Sequence, residues 1–134
     1  MRSTKKNKAH NQLSKPALDD IFALAQQVSL SEVTLARAAE SLHKSYGIKE
    51  SSGRMTLSSV ARLVGGNVYK RALTIQIVDY VLTKVSEESG QGGLRIALAG
   101  LSAHIDYRNS GNVSVPGLQT VLAKFTDSIR PRHN

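Results

Sequence analysis

The stretch Val68 to Ser86, VYKRALTIQIVDYVLTKVS, carries apolar side chains on two faces at once. At about 100° per residue, Val68, Ala72, Ile75, Val78, Leu82 and Val85 form one stripe of a helix, and Tyr69, Leu73, Ile77, Tyr80 and Val81 form a second. A helix apolar on two sides has to be covered by other helices or by a second copy of the chain. The expected fold is therefore all-α, a small bundle of about six helices around a long central helix at 68–86. Lys70 and Arg71 would fall in the first turn of that helix, where the macrodipole is already positive. An external anion such as a phosphate would account for them better than local stability does.

The remaining segments supply shorter helices. Ser14 and Pro16 make an ordinary helix start, and Leu18, Ile21, Phe22, Ala25 and Val28 recur at helical spacing, which predicts a first helix over 16–28. Ser29 and Glu32 have capping-box spacing, with Val28 and Val33 placed as a staple, ahead of a second helix that should end at Gly47. The run 48–55 has turn composition, and Thr56 is a suitable N-cap for a short helix stopped by Gly65 and Gly66. Asn67 would cap the long helix. The polar, glycine-rich stretch 86–93 predicts a flexible connector between sub-units 14–86 and 94–129 of a single helical domain. Beyond it the pattern gives a helix ending near His104 and a turn at 106–112. A β-hairpin pairing 104–107 with 112–115 is the competing reading there. A final amphipathic helix follows Ser114, running to Ile129, before the basic tail 130–134. Gly53 and Gly111 head similar stretches, which suggests a repeated helix-loop-helix unit.

Charge narrows the function. The chain carries +8, of which residues 1–15 hold +5 with no acid, and residues 61–86 hold +3. A disordered basic arm over 1–13, with Arg2, Lys5, Lys6 and Lys8, joined to a small domain is a footprint of nucleic-acid binding. With no Trp, two Phe and four Tyr, stacking platforms for single strands or RNA are poorly supplied, which favours duplex DNA. There is no cysteine, so thiolate metal sites and disulfides are excluded. The loop from Asp106 has calcium-loop echoes in Ser110 and Gly111, but Arg108 and Gly117 stand where oxygen ligands are needed, and no metal is expected. No apolar run is long enough to span a bilayer and no signal peptide is evident, so the expected location is cytoplasmic, without a membrane partner. Catalytic motifs are absent, His43 and His104 have no readable constellation, and neither an enzyme nor a cofactor is expected.

Thr56, Val60, Ala61, Val64 and Gly65 are spaced as the cap, core positions, small crossing residue and turn glycine of a helix-turn-helix. Over those roughly ten residues the stretch resembles the helix-turn-helix of lac-repressor-type regulators. The resemblance implies an element at 56–76 whose recognition helix begins with Asn67, Tyr69, Lys70 and Arg71, with Arg62 nearby. Arg71 stands where that family has a core aliphatic, and the fit resumes at Ala72 and Ile75 with one extra turn residue.

These features together point to a DNA-binding protein, using the helix-turn-helix-like element and the basic arm. A homodimeric regulator of transcription, replication or DNA segregation is the form expected, the second apolar stripe of the long helix supplying the dimer contact. A helical protein-interaction adaptor is the alternative, and an RNA-associated protein the third reading.

Overall fold

A computed structural model of the chain describes residues 12–129, and all its regular elements there are helices. They are α1 (Lys15–Ser29), α2 (Leu35–Tyr46), α3 (Glu50–Val64), α4 (Ile75–Ser110) and α5 (Pro116–Ile129). Among the described residues the all-α expectation holds, with five helices there against about six expected. The basic arm with Arg2, Lys5, Lys6 and Lys8, and the tail 130–134, lie outside the described residues.

Three of these helices end in the same way. Ser31, Gly66 and Asn112 adopt positive φ values of 61°, 78° and 65°. At each, the next amide reaches back five residues: Glu32 to the carbonyl of Gln27, Asn67 to Arg62, and Val113 to Arg108, at 2.8–2.9 Å. This is the Schellman arrangement, which satisfies the last carbonyls of a helix and sends the chain away from its axis. It explains two departures from the sequence reading. The amides of Ser31 and Glu32 are consumed in closing α1, so the Ser29 and Glu32 capping box does not form. Thr34 caps α2 instead, its hydroxyl accepting from the Arg37 amide.

By Cα proximity the chain divides into two units, Met1–Leu57 and Ser58–Asn134. The division falls inside α3. In the first unit α1 packs on α2, burying Leu18, Ile21, Phe22 and Ala25 of α1 with Ala38, Ala39 and Leu42 of α2. Each fully buried Leu, Ile or Phe contributes about 1.5–3 kcal/mol. The Tyr46 hydroxyl bonds both the Asp20 carboxylate and the Pro16 carbonyl, tying the end of α2 to the start of α1. Asp20 at that hydroxyl raises the Tyr46 pKa above the ordinary phenol value. His43 Nδ1 lies 3.0 Å from the Ile48 carbonyl, beside the left-handed Gly47 that ends α2.

Helix α3 begins at Glu50, six residues before the expected Thr56 start. Gly53, read as a turn glycine, lies within the helix, where a Cβ would stand 3.5 Å from the Cβ of Ala39. Gly111, its proposed counterpart in a repeat, caps the end of α4, so the two stretches are not structurally alike.

In the second unit α4 packs against α5. Its buried residues before Gly90 are Ile77, Val78, Val81, Leu82 and Val85, and after it Leu94, Ala97, Leu98, Leu101, His104 and Ile105. Helix α5 contributes Leu118, Val121 and Phe125, and Lys124 bonds Asp79 of α4 at 3.1 Å. Ile77 and Val81, from the stripe assigned to a dimer contact, are buried. The stretch 86–93 is helical except at Gly90, whose φ of 67° and ψ of −164° break the helix at one residue. The helix then continues through the expected turn at 106–112 as far as Ser110. No strand occurs among the described residues, so the hairpin reading fails.

Candidate nucleic-acid interface

The largest correction falls on residues 67–74. They are not helical, and α4 starts only at Ile75, capped by Thr74, whose hydroxyl accepts from the Ile77 amide. A recognition helix opening with Asn67, Tyr69, Lys70 and Arg71 is therefore absent. The physical cause lies in two places. The Schellman turn at Gly66 directs the chain out of α3. Tyr69 and Leu73, spaced like a helical pair, are buried at 1% and 6% exposure from an irregular segment.

That segment runs along the second half of α4. A Cβ on Gly66 would stand 2.8 Å from the Ile96 carbonyl, and one on Gly100 would stand 2.9 Å from the Leu63 carbonyl and 3.2 Å from that of Asn67. Farther on, the Tyr69 ring stacks on His104 with centroids 4.0 Å apart and planes within 6°. The Lys70 ammonium lies 5.7 Å from the centre of the exposed Tyr107 ring. As the segment advances from 66 to 70, its neighbours on α4 advance from 96 to 107. Glycine at 100 is what lets main chain meet main chain so closely.

Outside a helix, a segment's carbonyls need other donors. Here side chains supply them. Arg62 Nη1 donates to the Val68 carbonyl at 3.5 Å, His104 Nδ1 to that of Tyr69 at 2.6 Å, and Ser59 Oγ to that of Arg71 at 3.3 Å. Because a carbonyl only accepts, the His104 ring carries a proton on Nδ1. Its Nε2 and the Tyr69 hydroxyl are buried without a hydrogen-bond partner, as is Arg108 Nε. Burial lowers the His104 pKa, Arg108 one turn away adds to the lowering, and the bond to the Tyr69 carbonyl opposes it. Burial raises the Tyr69 pKa.

Asn67, Lys70, Arg71 and Arg62 are exposed, whereas Tyr69 is enclosed and unavailable to a ligand. No acidic residue occurs from Ser51 to Val78. Among the described residues of the second unit, Lys84 and Lys124 are ion-paired, while Arg62, Lys70 and Arg71 have no carboxylate within salt-bridge distance. Sequence reasoning gave Ser59, His104, Tyr107 and Arg108 no part in the site. The spacing Leu101, His104, Ile105, Arg108 on one helical face was the signal that His104 belonged to the interior.

No group of three or more His, Cys, Asp or Glu side chains is placed to hold a metal among the described residues, and no helix there is long and apolar enough to cross a membrane. No protein-family model matches this chain, and neither a curated protein nor a solved structure gives a match.

Proposed function

We propose that this chain binds nucleic acid, duplex DNA in the first place, through the segment Asn67–Arg71 together with the basic arm. The observation that carries the reading is the set of exposed, unpaired cations Arg62, Lys70 and Arg71 in a stretch of sequence free of acidic residues. Cations without carboxylate partners are not neutralised internally and remain attractive to an external polyanion. Electrostatic attraction of this kind supplies essentially all of the affinity in sequence-independent binding. The arm adds Arg2, Lys5, Lys6 and Lys8. Poverty in aromatic residues favours a duplex over a single strand.

The testing measurement is a mobility-shift titration of the full chain on duplex DNA over a salt series, with RNA as competitor. Affinity should fall steeply and linearly on a log–log plot against salt, and duplex DNA should resist RNA competition. A chain that retards neither polymer at low salt is not a nucleic-acid binder, and a helical adaptor for a protein partner then takes its place.

A further inference from the structure

We infer that the segment from Val68 to Thr74 is a phosphate-binding strip that grips the nucleic-acid backbone through main-chain amides, Lys70 and Arg71, without reading bases. This rests on the nucleic-acid reading above and names the part of the ligand that is held.

The argument begins with how the segment's backbone groups are used. The carbonyls of Val68, Tyr69 and Arg71 are taken by the side chains of Arg62, His104 and Ser59. Of these donors, His104 and Ser59 are buried, so two carbonyls are drawn toward the interior. The amides are used differently. The Asn67 amide closes α3 on the Arg62 carbonyl, and hydrogen bonding resumes at the Ile77 amide on the Thr74 hydroxyl. Between them, none of the N–H groups from Val68 to Thr74 donates to an acceptor among the described residues. A run of unspent donors is costly inside a protein and persists only where water or a ligand can reach it.

Three of the strip's carbonyls are thus tied to side chains and that of Thr74 to the Val78 amide, while the amides of its exposed residues Val68, Lys70, Arg71, Ala72 and Thr74 have no acceptor among the described residues. Lys70 and Arg71 add two full charges to the strip, and the start of α4 at Ile75 adds the positive end of a helix. Free amides flanked by cations match the tetrahedral oxygens of a phosphate. They carry no sequence information, because every phosphodiester presents the same oxygens. Major-groove base readout is usually delivered by side chains on a helix or a β-ribbon. The helix that would have served is not formed, and Tyr69 is buried. The arm's separate cluster of cations on the same chain favours a ligand with many phosphates over an isolated one.

The test uses the full chain and two unrelated duplexes of equal length, read by fluorescence anisotropy over a salt series, alongside amide NMR shifts. The two duplexes should bind within about twofold of each other, with amide shifts on binding concentrated at 68–74. The double variant Lys70→Gln, Arg71→Gln should keep its melting temperature and lose about 1.8 from the salt slope, at roughly 0.9 per phosphate contact. Tenfold or greater preference for one duplex, abolished in the double variant, would show that these residues read bases and would overturn the inference while leaving DNA binding intact. Inorganic pyrophosphate shifting the same amides at micromolar concentration, with no response to either duplex, would overturn both the strip's assignment to nucleic acid and the broader reading. An unchanged salt slope in the folded double variant would mean that the arm alone meets the phosphates, and the strip would be refuted.

Discussion

His104 holds Tyr69 twice, by its ring lying flat on the phenol at 4.0 Å and by its Nδ1 proton donated to the Tyr69 carbonyl at 2.6 Å. One side chain thus fixes both the position and the rotation of a residue in a segment with no helical hydrogen bonds of its own. Replacing His104 with Phe keeps a stacking ring but leaves the buried carbonyl without its donor. The expected loss is about 1–3 kcal/mol in urea unfolding. Equal stability of the variant would show that the bond contributes nothing.

The same histidine predicts a pH dependence. Its pKa in the folded chain lies below the ordinary imidazole value, chiefly because its ring is buried. The unfolded chain therefore takes up the proton first as pH falls. Stability from this group is full above about pH 6.5, declines as pH drops below that value, and is wholly lost once pH has passed below the folded pKa. Comparing unfolding midpoints of the wild type and His104→Phe across this range isolates the effect. The difference between them should narrow in acid, and a difference independent of pH would contradict the assignment.

Two glycines of α4 should respond oppositely to alanine. At Gly100 a Cβ would press on the Leu63, Gly66 and Asn67 main chain at 2.9–3.3 Å, none of which can rotate away. Gly100→Ala should cost about 1–3 kcal/mol as an overpacked contact. At Gly92 nothing lies within 4 Å, and alanine should be gained at roughly 0.5 kcal/mol from helix propensity. Chemical denaturation of the pair decides it, since a shift of the same sign in both would mean that the close approach at Gly100 is not a constraint.

Gly90 presents a third case, with open space around it but a φ and ψ that only glycine adopts readily. Gly90→Ala should lose about 1–3 kcal/mol through the backbone alone. Thermal melting followed by circular dichroism will show whether the break in α4 carries that strain. An unaltered melt would mean that the two halves of the helix do not depend on it.

Where local chemistry decided the structure, the sequence was readable. Ser14 and Pro16 begin α1, Gly47 ends α2, Gly65 and Gly66 follow α3, and Pro116 opens α5, all as their residue types demand. The errors came where a spacing had two meanings. Tyr69 and Leu73 are four apart and both interior, which is the mark of a helix face, yet they are buried from an irregular segment. Thr74 is the true cap but was hidden inside the apparent stripe. The glycine-rich run 86–93 reads as a loop by composition, although only Gly90 leaves helical geometry. The exposed cations of the candidate interface were legible, but the histidine that seats them was not, because its partner is a main-chain oxygen 35 residues away.

Anchoring through carbonyls has an evolutionary corollary. Every amino acid supplies the same main-chain oxygen, so Ser59 and His104 hold positions 69 and 71 in place whatever side chain position 71 bears. Side chains at the exposed positions 68, 70, 71 and 72 can drift without a matching change in the helices that hold them. Ligand preference at this surface is thereby uncoupled from folding, and a lineage could rewrite it one residue at a time on an unchanged scaffold. The same freedom makes the segment a natural place to graft a new binding sequence.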